Sequence, residues 1–280
     1  MINQLSDTHP EAEKFQISLI RQASTAKRIS RICSLSETVI QLSRRAILRA
    51  NPASELQEIT ALFFSYHYNI DIKTDYFKNA VKKRNIMNPP DIIAALEPVL
   101  NAFEISDIPY YIGGSVASSA YGIPRATLDV DIICDLKANQ VSSLVKTLES
   151  AYYIDEEMIL DAIQRKSSFN LIHLDTMIKI DIFIMKDTLY DKSAFQRKQK
   201  DTLDENRHNL LCYFVSPEDI ILNKLKLFHI GGEVSERQWH DVQGVIKVQK
   251  NMLDRKYLQY WSAELGIEDL LNRAFQDAEG

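Results

Sequence analysis

Cysteine, basic excess and long apolar runs are all scarce in this chain, and each scarcity closes off a class of protein. The 280 residues hold three cysteines, Cys33, Cys134 and Cys212, far apart and in no metal-ligand spacing. They are expected to be reduced core thiols, not a disulfide framework. None of the six histidines has another four residues away, so a zinc site on one helix face is not expected. No segment approaches the ~20 apolar residues that span a bilayer. The opening MINQLSDTHPEAEKF has neither the basic start nor the apolar run of a secretory leader. A cytoplasmic protein with no membrane partner is the expectation. Acidic residues outnumber basic ones, 38 to 33, which argues against a surface made for general nucleic-acid binding but leaves room for a local basic groove. Internal repeats and low-complexity tracts are absent, and Ser118 and Ser119 lack the setting of a nucleophile elbow.

With 45% hydrophobic and 25% charged residues, what remains is ordinary globular composition, enough for one large domain or two modest ones. The clearest break is NIMNPP, Asn85 to Pro90, after the basic cluster Lys82, Lys83 and Arg84. Consecutive prolines bar a helix from continuing. The expected organisation is a helical unit over 1–84, an α/β core over 85–215 and a helical part over 216–280.

In the first unit, Ser34 and Glu37 have capping-box spacing, and Ile32, Leu35, Val39, Leu42 and Ala46 follow at steps of three and four. Asn51-Pro52 should stop that helix. A second helix is predicted from Glu55 to about Tyr68, with Leu56, Ile59, Leu62, Phe63 and Tyr66 on one face. The basic residues Lys14, Arg21, Lys27, Arg28, Arg31, Arg44, Arg45 and Arg49 read first as a solvated helix face, ahead of an RNA- or partner-binding arm. Phe63, Phe64, Tyr66 and Tyr68 are expected to pack between helices, and Trp239 and Trp261 in a C-terminal core.

In the core, strand and helix patterns alternate. IPYYIGG reads as a strand ending at a glycine pair, SVASSAYG as a short helix and LDVDIICDL as a strand. NQVSSLVKTLES and EEMILDAIQRK read as helices. SFNLIHLD and MIKIDIFIM are β-rich runs separated by little more than a turn, hence an antiparallel pair. HNLLCYFVS is a last strand. Ser216-Pro217-Glu218 then opens the helical part with an N-cap, a proline and an early acid.

Three features could share a site. Gly113-Gly114-Ser115 lies between a strand and a helix, where glycine admits a close ligand and the helix offers free N–H groups to phosphate. Asp129 and Asp131 lie two apart on one strand and so face the same way. Two like charges held that close need a cation, and hard oxygen ligands suit magnesium; the alternative is an edge strand showing two acids to water. Asp181 sits mid-strand opposite an isoleucine face, and alone would be a solvent-facing acid beside Lys179. On a strand neighbouring Asp131 it would complete a three-carboxylate cage of the two-metal kind used in phosphoryl transfer. Asp135 reads as an ordinary acid.

IGGSVASSAYGIPRATLDVDI followed by IKIDIFI resembles the nucleotidyltransferase fold of the DNA polymerase beta superfamily, with its Gly-Gly or Gly-Ser turn, Asp-x-Asp pair and later third acid. Gly114 and Asp129 are 15 positions apart, room for a short helix and a loop. The wording RATLDVDI, Arg125 to Ile132, is similar to stand-alone bacterial members related to abortive-infection type IV toxins. The resemblance covers roughly residues 107–245. It implies a mixed β-sheet, an NTP donor, phosphates cradled by Gly113, Gly114 and Ser115, and two magnesium ions, or manganese, on Asp129, Asp131 and Asp181. Asp181 would also help activate the acceptor hydroxyl. In the toxin-like branch a helix lysine and a later aspartate accompany the acids, and Lys224 and Asp241 stand where these fall, Lys224 toward the triphosphate and Asp241 as an anchor that positions Lys224 or Arg237. The plainer reading makes Lys224 and Lys226 exposed lysines and Arg237 with Asp241 an i,i+4 pair. Arg125 would bind phosphate or brace its loop. The resemblance leaves the acceptor open among an RNA end, a protein and a small molecule. The alternative function is a catalytically inactive member serving a partner, with the N-terminal helices as regulator.

Overall fold

The computed structural model describes residues 9–68, 90–204 and 210–279. The expected break at 85–89 and its basic cluster lie outside them.

Among the described residues three helices come first: α1 (Pro10–Gln22), α2 (Thr25–Ala50) and α3 (Leu56–Tyr68). Ser24 caps α2 by accepting from the Lys27 N–H, and Asn51 ends it as expected. The expected cap at Ser34 and Glu37 instead falls inside α2, because no breaker separates it from the better start at Ser24. The buried face also differs from the expected one. Ile29, Ile32, Ser36, Ile40, Arg44 and Ile47 point inward, whereas Leu35, Val39 and Leu42 are 45%, 42% and 58% exposed. A helix of this length carries two apolar stripes, and only one can meet the sheet. Arg28 and Arg44 are buried, not part of a solvated face. In α3, Ile59, Phe63 and Phe64 are buried while Leu56 and Tyr66 are exposed.

Among the described residues the sheet has seven strands, in the order β3-β4-β5-β2-β1-β7-β6. They are β1 (Tyr110–Ile112), β2 (Asp129–Cys134), β3 (Tyr152–Tyr153), β4 (Ser168–His173), β5 (Lys179–Ile184), β6 (Gln199–Thr202) and β7 (Leu211–Phe214). β2 runs parallel to β5 and β1 to β7; the other neighbours are antiparallel, including the expected β4–β5 pair. This is the mixed α/β sheet expected, with helices before and after it. Interleaved are α4 (Ile92–Ile105), α5 (Gly114–Tyr121), α6 (Val141–Leu148), α7 (Glu156–Arg165) and α8 (Leu189–Gln196). At the C-terminal end come α9 (Pro217–Ile230), α10 (Glu236–Gln249), α11 (Arg255–Glu264) and α12 (Glu268–Glu279). Ser216 caps α9 as its sequence demanded. Among the described residues, no helix is long and apolar enough to cross a membrane.

One large apolar core joins the sheet to the helices and includes Ile29 and Ile32 of α2. A second cluster packs Ile40, Ile47, Ile59, Phe63 and Phe64 against Ile172, Leu174 and Met177 at the β4–β5 turn. Polar contacts fix the same docking. Ser36 Oγ accepts from the Thr127 N–H at 2.9 Å, Arg44 donates to the Thr176 carbonyl at 2.7 Å, and the Tyr68 hydroxyl donates to the Leu128 carbonyl at 2.8 Å. The N-terminal helices therefore grip the segments that lead into β2 and β5.

Candidate active site

Strand register places the acids. Along β2, Val130, Ile132 and Cys134 are buried and Asp129, Asp131 and Ile133 only partly so. Asp131 pairs directly with Asp181, and Asp181 with Asn170. Residues paired across strands point to the same side of a sheet, so Asn170, Asp181 and Asp131 form one row. On one side lies the row Ile172, Lys179 and Asp129. On the other lies Ser168, Phe183, Ile133 and Tyr111, where Phe183 is 39% exposed. The three expected carboxylates share one patch, and Lys179 stands among them.

The turn after β1 closes on this patch. Gly114 has φ +54°, and a Cβ there would lie 1.6 Å from Asp131 Oδ2. Only glycine lets the backbone turn left-handed and leaves room for that carboxylate. Gly113 precedes α5 with no side chain capping the helix, and the Ser115 backbone N–H serves the Asp131 carboxylate. Burial, then the charges of Asp129 and Asp181, push the Asp131 carboxyl up to about 6, against the pull of Lys224 and of that N–H. Burial also raises Asp181, against the bond and charge of Lys179. The Lys179 ammonium is 2.7 Å from Asp181 Oδ2. On the remaining side, Thr127 Oγ1 donates to Asp129 Oδ1 at 2.9 Å.

Lys224 is buried, 5% exposed, not an exposed helix lysine. It bonds Asp241 Oδ2 at 2.8 Å. Arg125 grips the same carboxylate with two bonds of 2.7 Å and reaches Ser115 Oγ at 2.7 Å. Burial would raise the Asp241 carboxyl, but the Arg125 bond and the nearby Lys224 charge hold it below its ordinary value. Asp241 thus ties α9 and α10 to the glycine turn. Arg237 is exposed, and the expected Arg237–Asp241 pair is not formed; Asp241 turns to Arg125 and Lys224 instead.

Among the described residues, no three His, Cys, Asp or Glu side chains are gathered closely enough to hold an ion as they stand. In this arrangement Asp181 is engaged by Lys179. The donor chemistry still fits a hard divalent cation: carboxylate oxygens that are partly buried and mutually repelling are relieved by positive charge.

Neither a family model nor a curated protein sequence matches the chain. Solved structures do. The chain is similar to an antigenic nucleotidyltransferase-like protein from Paracoccidioides brasiliensis, at 18% identity, over 66% of this chain and 92% of that one, with TM-score 0.41. It is similar to the lincosamide antibiotic adenylyltransferase LnuA, lincomycin-bound, at 17% identity, over 55% and 96%, TM-score 0.38. It is also similar to the antibiotic-resistance factor ANT(2'')-Ia, at 12% identity, over 65% and 97%, TM-score 0.41.

Two members of the constellation were not singled out in sequence. Lys179 was visible only as the neighbour of Asp181, and period-two alternation was the signal that set it on the same face. Tyr68, whose ring centre lies 5.5 Å from the Lys179 ammonium, comes from a helix over a hundred residues upstream and carries no local signal.

Proposed function

We propose that this protein is a metal-dependent nucleotidyltransferase that moves a nucleoside monophosphate from an NTP to a hydroxyl acceptor and releases pyrophosphate. The observation that carries this reading is the direct pairing of Asp131 with Asp181 on neighbouring strands, beside a glycine turn that closes on Asp131.

Asp129, Asp131 and Asp181 would hold magnesium, or manganese, which when bound neutralises phosphate charge and stabilises the departing pyrophosphate. In the reaction the acceptor oxygen bonds the α-phosphorus and the α–β bridging bond breaks, its electron pair leaving with pyrophosphate. Asp181 takes the hydroxyl proton, a role helped by burial that raises its proton affinity. Gly113, Gly114 and Ser115 present backbone to the phosphates. Lys224, anchored by Asp241 and close enough to act on the Asp131 charge, supplies a buried positive charge beside them. Arg125, held by Asp241, braces the turn through Ser115. A cytoplasmic, toxin-like setting belongs to the same proposal, with an RNA end, a protein or a small molecule as acceptor.

The test is magnesium-dependent pyrophosphate release from each NTP, wild type against Asp131→Ala. Release that needs no metal, or survives the substitution, sinks the reading. Transfer of labelled NMP in whole-cell lysate, read on RNA and protein gels, then names the acceptor. The exposed stripe Leu35, Val39 and Leu42 on α2 favours a second role, in which the N-terminal helices engage a regulatory partner. If no NTP binds, the partner-binding role becomes the principal one.

A further inference from the structure

Lys179 is a cation set among the acids of the candidate site and not accounted for by the mechanism above. It lies two residues before Asp181 on β5 and pairs with Asp129 on β2. Its ammonium is 2.7 Å from Asp181 Oδ2, and the two side chains are only 16% and 17% exposed. The Tyr68 ring stands over it at 5.5 Å, and the Tyr68 hydroxyl is anchored to the Leu128 carbonyl. Lys224, the buried ammonium that also acts on Asp131, is held by Asp241. Three carboxylates in one partly buried patch repel one another unless a positive charge sits with them, and among the described residues Lys179 is the cation whose ion pair is with one of the three.

From this placement we infer that Lys179 is a resident counter-ion that stabilises the metal-free site and exchanges with the divalent ion when the site loads. The inference rests on the reading of Asp129, Asp131 and Asp181 as metal ligands. Loading would set a dication beside an ammonium already 2.7 Å from the same carboxylate, and the repulsion between the two cations drives the Lys179–Asp181 bond open. The aromatic face of Tyr68 gives the freed ammonium a favourable neighbour. Ion affinity is therefore set below what three unengaged carboxylates would give, and Lys179 acts as a positioning residue that controls when Asp181 is available.

Manganese binding reads this directly, from loss of the free Mn2+ signal in electron paramagnetic resonance with full-length, metal-stripped protein. Lys179→Met, Lys179→Arg and Lys186→Met are compared with wild type at one pH. Lys186 is exposed beyond the end of β5, so its loss controls for a change in overall charge. Opening a partly buried ion pair in wild type is expected to weaken ion binding, so Lys179→Met should bind about fivefold tighter. Lys179→Arg should match wild type or bind more weakly, because the guanidinium fork holds a carboxylate at least as firmly. Lys186→Met should stay within about twofold of wild type. Equal or weaker binding by Lys179→Met, or a matching gain in Lys186→Met, overturns the exchange. If Lys179→Met does not fold, tighter binding by Lys179→Arg overturns it, and equal or weaker binding supports it. No Mn2+ binding by wild type or any variant overturns the metal reading itself and this inference with it.

Discussion

Replacing Asp131 with asparagine should make the metal-free protein more stable at pH 8. Burial, then the charges of Asp129 and Asp181, raise this carboxyl from 3.8 to about 6. A raised carboxyl favours the folded state fully only below its unfolded value, and that advantage is lost as pH climbs through about 6. At about 1.4 kcal/mol for each tenfold change in proton affinity, the loss by pH 8 is ~3 kcal/mol. Asparagine has nearly the same shape and no charge to bury, so the variant is spared this loss. The value of about 6 is already net of the attraction of Lys224 and the bond from the Ser115 N–H, so the variant's advantage is the same ~3 kcal/mol, of which ~2 kcal/mol develops between pH 4.5 and pH 8. Urea unfolding in EDTA at pH 4.5 and pH 8 measures it. The variant's lead should be ~2 kcal/mol larger at pH 8 than at pH 4.5, and it should be lost when magnesium is added, since wild type alone retains the full ligand set. A wild type more stable than the variant at pH 8 in EDTA, or a difference independent of pH, refutes the reasoning.

Three further outcomes are expected. Asp241→Asn leaves Lys224 and Arg125 without their shared carboxylate and should cost ~3 kcal/mol in urea unfolding. Because Asp241 is held below its ordinary value, wild type should lose that stability as pH falls below about 4, and the variant should lack this acid limb. Gly114→Ala combines a left-handed backbone with a Cβ inside the Asp131 carboxylate; it should cost at least ~2 kcal/mol and abolish pyrophosphate release, and a variant with wild-type melting and activity would contradict this. Ser36→Ala leaves the buried Thr127 N–H without its acceptor and should cost ~1–2 kcal/mol, with faster hydrogen exchange at that amide.

The acids and the glycine turn were legible because their signals are local. Alternation along β2 and β5 sets which side chains share a face, and the sheet adds only that the two strands are neighbours in the register that pairs Asp131 with Asp181. Asp241 as an anchor for Lys224 was legible, but its grip on Arg125 was not, since that joins a helix to a loop more than a hundred positions earlier. The buried face of α2 was misread because its sequence holds two apolar stripes, and the choice between them is made by the β4–β5 turn it packs against. Buried Arg44 follows from the same partner: its guanidinium is accepted by the Thr176 carbonyl, a group invisible in the sequence of α2. β3 and β6, at two and four residues, are too short to carry a periodic signal.

The grip of α2 on the Thr127 amide and the Thr176 carbonyl bears on how the chain is made. Translation delivers the N-terminal helices first, yet their docking surface is complete only after residue 176 has left the ribosome. Until then the stripe of Ile40 and Ile47, with Phe63 and Phe64 of α3, lacks the surface it packs on in the finished protein. Long-range closure of this kind comes late in folding, and uncovered apolar helices are what chaperones and aggregates both capture. A partly made chain thus has its beginning waiting for its middle.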